Sequence, residues 1–144
     1  MALTKSFQSF LVYHFQGNIN LEYQNSSDGL HLAEESGDIL SKAQAITCHG
    51  ASCYSKRLLD DAEKYLLEGI HFCEQINILG WDSIAQAMLG ETYYERRHYE
   101  KSKLHFMNAV LRLTKTGLVP SWMNLNKIAV IRSMVMNNEI DVDL

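Results

Sequence analysis

The amino-acid sequence predicts an all-α fold, a solenoid of about seven antiparallel helices. Apolar residues recur at three- and four-residue spacing along most of the 144 residues, as they do in amphipathic helices. A single proline and few glycine runs leave little support for strands and hairpins. The stretch 89–106 also has a relative 40 residues earlier, in which Gly50 matches Gly90 and Leu66 matches Phe106. A fixed period of this length is typical of helical repeat arrays.

Turn and capping residues divide the chain into the predicted helices. Gly17 and Gly37 are expected just past the ends of the first two helices, where glycine is favoured. Asp38 is placed to cap the third helix, and Asp60 and Asp61 to begin the fourth. The poor helix formers at 25–29 are predicted to break or fray the second helix. The predicted helices cover residues 4–16, 19–36, 39–57, 83–97, 99–115 and 121–137, and the fourth helix begins near residue 60.

The helices are expected to form one domain over residues 1–144. Short turns place consecutive helices side by side, as pairs over 4–36, 38–77 and 80–116, and helix 121–137 has no partner. That last helix is apolar on more than one stripe, which is typical of a helix buried on two sides. Two hypotheses follow: the chain is a piece of a longer array, or the exposed face of helix 121–137 forms a homodimer.

The third pair resembles a tetratricopeptide repeat. The pattern of that family is Trp-x2-Leu-Gly-x2-Tyr followed by Ala-x3-Phe. The sequence supplies at matching spacing Leu89, Gly90, Tyr93, Phe106 and Ala109. It departs from the pattern with Gln86 at the Trp position and Ser102 at the first Ala position. The second pair keeps Gly50, Ala62 and Leu66.

The 40-residue period exceeds the usual length of about 34 residues. In this the chain is similar to the long-repeat arrays of bacterial signalling proteins, such as maltose-activator-type and LuxR-type transcription regulators and nucleotide-cyclase-associated proteins. The resemblance implies a right-handed superhelix with a scaffold or sensor role. It implies no reaction, so we expect no enzymatic activity.

Composition and charge favour a soluble, cytoplasmic protein. Apolar residues make up 47% of the chain and charged residues 21%, as in ordinary folded proteins. The net charge of −4 argues against direct contact with nucleic acid, whose binders usually carry a basic face. No stretch approaches the ~20 apolar residues that cross a bilayer, and the apolar run 10–13 is too short for a signal peptide.

Cys48, His49 and Cys53 form a cluster with metal-binding residue types. His49 and Cys53 are four residues apart on a predicted helix, so both side chains can reach one ion. A structural zinc site needs four ligands, which Cys73 or His71 would have to complete. The alternative is that these cysteines are small core residues, and their odd number does not suggest a disulfide framework. We expect no metal, no cofactor and no catalytic residue.

The candidate site is the concave face of the array, which the first helix of each pair lines. Gly50 and Gly90 serve as register marks. The residues expected on that face are Gln44, Thr47, Ala51, Tyr54, Ser55, Ala87, Glu91, Tyr94, Glu95, Asn124, Lys127 and Ile131. Aromatic anchors among mixed polar groups suit a protein or peptide partner. The alternatives are a regulatory domain that binds a small molecule or signalling peptide in this groove, and a groove that is only solvated.

Overall fold

The computed structural model describes residues 1–117 and 120–140, and these form helices joined by short turns. The helices are α1 (Ala2–Phe7, continued by a π-helical segment, Gln8–His14), α2 (Ile19–Ser36), α3 (Ile39–Ser55), α4 (Leu59–Gln75), α5 (Leu79–Glu95), α6 (Tyr99–Thr116) and α7 (Pro120–Met136). Each packs against its neighbours along the chain, which gives the predicted all-α superhelical array. The predicted domain also includes 118–119 and 141–144, which lie outside the described residues.

The first helix widens after Phe7. Residues Gln8–His14 continue it with π-helical bonding, where the sequence predicted one regular helix over 4–16. Phe10 in this segment is 2% exposed and belongs to the main core. Gly17, at φ 69°, ends the segment. Short π-helical turns are rare and often occur at functional sites.

Helix α2 runs unbroken through residues 25–29, so the predicted break there is wrong. Ser26 is buried, and its Oγ lies 2.6 Å from Ser52 Oγ of α3. Gly29 packs against α1, because a Cβ added to it would lie 2.9 Å from Ser6 Oγ. Residues with low helix propensity mark close helix contacts here, and the packing they permit outweighs that propensity.

The turns after α3, α4 and α5 share one backbone geometry. Arg57, Asn77 and Arg97 adopt φ of 64°, 53° and 61°, a left-handed conformation usually filled by glycine at helix ends. The N–H after each of them donates to a carbonyl five residues back, as Leu58 N does to Cys53 O at 2.9 Å. These three-residue turns therefore close the helices without a glycine.

Helix α5 begins earlier than predicted, at Leu79 instead of residue 83. Trp81 and Asp82, predicted as junction residues, lie in its first turn and are 9% and 2% exposed. Arg112 Nε donates to Asp82 Oδ2 at 2.6 Å, so the buried carboxylate is paired with a guanidinium of α6.

Glycine brings the two helices of a pair close together. A Cβ on Gly50 of α3 would lie 2.7 Å from Leu66 Cγ of α4, and one on Gly90 of α5 would lie 3.0 Å from ring carbons of Phe106 in α6. Helices α3 and α5 begin 40 residues apart, but α5 and α7 begin 41 apart. The position equivalent to Gly50 and Gly90 in α7 is therefore Ile131.

Hydrogen bonds support this one-residue shift. Ser52 Oγ of α3 meets Ser26 Oγ of α2, and Ser133 Oγ of α7 meets Ser102 Oγ of α6 at 3.0 Å. Ser133 follows Thr92, which is the equivalent of Ser52, by 41 residues. Asn138, at φ 57°, likewise follows Arg97 by 41 residues.

The main core lies between α3, α4 and α5 and extends to Phe10 of the N-terminal segment. It is built around side chains with almost no exposure, among them Leu66, Cys73 and Leu89. Within the described residues, none of the helices is both long and apolar enough to cross a membrane.

Candidate functional site: a cavity lined by the first helices

A cavity of about 250 Å³ lies where the first helices of successive pairs converge, and we call it the inner cavity. His14 of the N-terminal segment and Tyr54 of α3 line one side of it. Ala87, Met88 and Glu91 of α5 line the middle. These lining residues come from the N-terminal segment, α3 and α5, which are the first helices of the three predicted pairs.

Helix α7 closes the other side of the inner cavity. Its lining residues there are Trp122, Leu125, Asn126 and Ala129, and Phe106 of α6 contributes its ring. The ring of Phe10 in the N-terminal segment lies at a tilt to that of Trp122, with ring centroids 6.3 Å apart. The wall is mainly apolar and aromatic, with carboxylate, amide and imidazole groups at a few points.

Glu91, which lines the inner cavity, forms an ion pair with Arg132 of α7 beside it. Arg132 Nη2 donates to Glu91 Oε2 at 2.9 Å, which joins α7 to α5. The Arg132 guanidinium also lies over the Tyr94 ring, 3.9 Å from its centroid. Such a cation–π contact is attractive and holds the guanidinium over the face of the ring. The pair thus holds a donor group and an acceptor group beside the apolar cavity.

His14 belongs to a buried polar cluster beside the inner cavity. Its Nδ1 lies 2.8 Å from Glu22 Oε1 and 3.3 Å from Ser55 Oγ, and Ser55 Oγ donates to Glu22 Oε1 at 3.2 Å. The Glu22 carboxylate is 1% exposed. The cluster fastens the N-terminal segment to α2 and α3.

The same three side chains are not arranged for nucleophilic catalysis. In a Ser-His-acid triad the hydroxyl and the carboxylate bond opposite nitrogens of the imidazole. Here Ser55 and Glu22 both approach Nδ1 of His14. The geometry therefore supports a structural role in positioning His14.

Five of the predicted site residues lie at or beside the inner cavity. Tyr54, Ala87 and Glu91 line it, Tyr94 lies under the Arg132 guanidinium, and Ser55 belongs to the polar cluster. Ala51 is buried in the main core instead. Burial, followed by the charges of Glu91 and Glu95, raises the pKa of Tyr54 to about 12. Its phenol is therefore a neutral hydrogen-bonding group at physiological pH.

The other predicted residues lie elsewhere. Thr47 is fully buried, and its Oγ1 would lie 2.6 Å from a Cβ on Gly69, so it packs between α3 and α4. Gln44 is 7% exposed, with Oε1 buried and unpaired among the described residues. Glu95 pairs with Arg57 at 2.8 Å on the surface.

The three predicted residues of α7 do not line the inner cavity. Asn124 is exposed, and Lys127 and Ile131 line a separate groove between α6 and α7. The reason is that α7 begins 41 residues after α5. A 40-residue period therefore assigns each residue of α7 to a position that is wrong by one residue. Helix α7 has no glycine at the position equivalent to Gly50 and Gly90, so the sequence does not indicate this shift.

Sequence reasoning missed several residues that line the inner cavity. They are His14, Phe106, Trp122, Leu125, Asn126 and Ala129, and Arg132 beside it was missed as well. Phe106 and Trp122 recur at the spacing of an amphipathic helix, and that spacing does not distinguish a cavity wall from core packing. No sequence signal joins His14 to Tyr54, since the contact depends on how the N-terminal segment crosses α3.

The cysteine and histidine cluster is part of the core. The thiols of Cys48, Cys53 and Cys73 are buried and free, and burial raises the pKa of Cys53 and of Cys73 to about 12. His49 lies 3.0 Å from Ser26 Oγ through Nδ1, between the rings of Tyr23 and Tyr65. In the part of the chain that the structure describes, no three His, Cys, Asp or Glu side chains come together as a metal site.

Comparison with known proteins gives a likeness at the level of the fold. No family model and no curated protein matches the sequence. Among solved structures, the chain is similar to RapI in its apo form, with a TM-score of 0.77 at 13% sequence identity. The match covers 93% of this chain and 48% of RapI, so the chain spans about half the length of that protein. The likeness supports the helical-repeat fold.

Proposed function

We propose that the chain is a non-catalytic module that binds a protein or peptide segment through the inner cavity. The supporting observation is the pairing of an apolar, aromatic cavity with the Glu91–Arg132 pair at its side. An apolar side chain of the partner enters the cavity, where Trp122 and Leu125 contact it. Backbone groups of the partner then meet the carboxylate of Glu91 and the guanidinium of Arg132.

The size of the cavity favours a peptide over a small molecule. Small-molecule sites usually enclose about 300–1,000 Å³, and the inner cavity encloses about 250 Å³. That volume fits one large side chain of a longer ligand, and burial of one or two such anchors carries much of the affinity of many interfaces.

The biological setting that we propose follows from the resemblance to long-repeat arrays. The module serves as the sensory or scaffolding part of a bacterial signalling or transcription-regulatory protein, located in the cytoplasm. The module makes no direct nucleic-acid contact, in keeping with the net charge of −4.

Selection from a random peptide display library tests the binding function. The selected peptides are expected to share one large apolar residue and to bind purified protein in fluorescence anisotropy. Ala129→Leu fills the inner cavity and should weaken binding at least about tenfold, as should Tyr54→Ala combined with Tyr94→Ala. Leu67→Ala, on the exposed outside of α4, is the matched control.

The outcome that contradicts the proposal is a selection that yields no binder, or binders whose affinity Ala129→Leu leaves unchanged while circular dichroism shows an intact fold. In the second case the binding face lies outside the inner cavity.

A further inference from the structure

Helices α6 and α7 form a second, more apolar depression, which we call the outer groove. Leu104, Met107 and Leu111 of α6 line one wall, and Lys127, Val130 and Ile131 of α7 line the other. It encloses about 590 Å³, more than twice the volume of the inner cavity. Leu104, Met107, Leu111 and Ile131 are each about half exposed, between 49% and 54%. Clustered exposure of this kind marks an interaction surface more often than isolated apolar residues do.

The repeat shows what kind of element covers this surface. Gln86, Leu89 and Gly90 of α5 are the equivalents of Lys127, Val130 and Ile131, 41 residues earlier. In α5 this face is closed, since Gln86 is 3% exposed and Leu89 is 0% exposed.

Helix α6 is the element that closes the face of α5. Its Phe106 ring lies on Gly90, and its His105 Nδ1 lies 2.8 Å from Gln86 Oε1. Helix α4 lies on Gly50 of α3 in the same way. The equivalent face of α7 is therefore shaped to receive a helix, and none of the helices within 1–117 and 120–140 lies on it.

Ile131 changes how that helix must sit. A Cβ at Gly50 or Gly90 would already lie 3.0 Å or less from the covering side chain, so an isoleucine excludes an approach as close as that of α4 or α6. A helix covering α7 must lie farther out, where its own large apolar side chains reach down between α6 and α7. The outer groove has the volume and the apolar walls for that arrangement.

Charge distinguishes between the helices that could occupy the groove. Lys127 lines it, and Lys115 lies one turn after Leu111 at its end. Neither lysine forms an ion pair with any described residue, and the groove lining contains no carboxylate. Two copies of the chain joined through this face would place lysines on both sides of the contact, with no carboxylate in either groove lining to pair with them. An acidic helix would instead pair with them.

We propose that the outer groove binds an amphipathic α-helix of a partner protein, with an apolar stripe of large residues flanked by carboxylates. The site lies on the opposite side of α7 from Leu125 and Ala129, so it is separate from the inner cavity. The two surfaces together let the module hold a peptide on one side and a helical partner on the other.

Labelled synthetic helices test this proposal by fluorescence anisotropy. The probe is a peptide of about 20 residues, long enough to form a helix, with leucines at i, i+3, i+4 and i+7 and glutamates beside them. One matched peptide carries lysine at the glutamate positions, and a second carries alanine at the leucine positions. The acidic leucine peptide is expected to bind at least about tenfold more tightly than either.

Variants locate the binding surface. Ile131→Glu should weaken binding of the acidic peptide at least about tenfold, and Lys127→Glu should reverse the preference toward the lysine peptide. Leu67→Glu, at an exposed leucine of α4, is the matched control and should change nothing, as should Ala129→Leu in the inner cavity. A result in which Ala129→Leu abolishes binding but Ile131→Glu does not would place the peptide in the inner cavity and overturn this inference while supporting the proposed function.

Light scattering of the protein without peptide completes the test. A monomer is the expected result. A dimer that Ile131→Glu dissociates would show that a second copy covers the groove and would overturn the proposal, as would equal affinity for the acidic and lysine peptides.

Discussion

Helices α3 and α5 occupy the interior of the array, whereas α7 lies at its edge, and the same repeat position carries Gly50, Gly90 and Ile131 in the three helices. The two glycines are buried under Leu66 and Phe106, while Ile131 is 54% exposed. Helices α3 and α5 are covered around most of their circumference, since residues 43–53 and 85–90 are all buried, whereas buried and exposed residues alternate along α7. Only α3 and α5 are covered in this way within the described residues.

The difference shows that apolar content does not by itself define how a helix is packed. A small residue at the contact position permits an α4-type or α6-type helix to approach closely, and a branched one excludes it.

Truncation of Leu66 should have the largest effect on the interior contact. Its side chain is fully buried against Gly50, so Leu66→Ala removes packing and leaves a cavity that costs about 2–5 kcal/mol in unfolding free energy. Urea denaturation measures the loss. Leu67→Ala, one residue later and 45% exposed, is the control and should stay within about 0.5 kcal/mol of the unmodified protein. Equal losses in both variants would refute the close contact.

Addition of a methyl group at Gly50 should also destabilise the fold. The new Cβ meets both Leu66 Cγ at 2.7 Å and Leu66 N at 3.1 Å, and overpacking of this kind costs about 1–3 kcal/mol. Helix propensity alone predicts the opposite sign. Gly80→Ala is the matched control, because nothing lies within 4 Å of its Cβ position, and it should stabilise by about 0.5–1 kcal/mol. Thermal unfolding of both variants determines the two signs.

Helices α3 and α5 differ at the buried position held by His49 and Leu89. Desolvation by burial lowers the pKa of His49 below its ordinary value, so the unfolded chain binds a proton more readily. The contribution of the neutral His49 imidazole to the unfolding free energy is therefore full above the ordinary histidine pKa of about 6.5. It declines as pH falls through the lower folded-state pKa.

His49→Leu makes α3 resemble α5 and should reduce the loss of stability between about pH 6.5 and more acidic pH. Burial also lowers the pKa of His105, so part of the pH dependence should remain. Urea midpoints measured over this pH range check the expectation. An unchanged slope in His49→Leu would show that the imidazole titrates alike in the folded and unfolded chains.

The smallest effect is expected at the turn after α5. Arg97 is exposed at φ 61°, a conformation that is unfavourable for a residue with a Cβ. Arg97→Gly should therefore raise the unfolding free energy by about 0.5 kcal/mol after allowance for the greater freedom of glycine in the unfolded chain. Arg97→Ala, which keeps the Cβ, should not do so, and a gain in both variants would remove backbone strain as the explanation.

The sequence was informative about the helices and about the register of α3 to α6. Spacing of apolar residues indicates a helix directly, because the period of 3.6 residues is a local property of the backbone. The glycine pair 50 and 90 also predicted the shared face that Tyr54 and Glu91 occupy. The predicted break at residues 25–29 and the predicted start of α5 were wrong for a related reason. Small and polar residues are typical of turns, but they also permit close helix packing in the folded chain.

The candidate site depended more on tertiary structure. Lys127 was assigned to the inner face by a 40-residue period, but the 41-residue step places it in the outer groove. His14 reaches the inner cavity only because Glu22 and Ser55 hold its segment against α3. Contacts of this kind join residues far apart in sequence, and local patterns contain no information about them.

The sequence alone was sufficient to predict an all-α repeat array, because helix periodicity and repeat spacing are both visible in the order of the residues. Tertiary structure alone decided which side of α7 faces that cavity, since a single added residue turns a helix by about 100°. It also decided that Ile131 remains half exposed where Gly50 and Gly90 are covered. Burial depends on what lies opposite a residue, and a periodic pattern specifies only the face on which the residue lies.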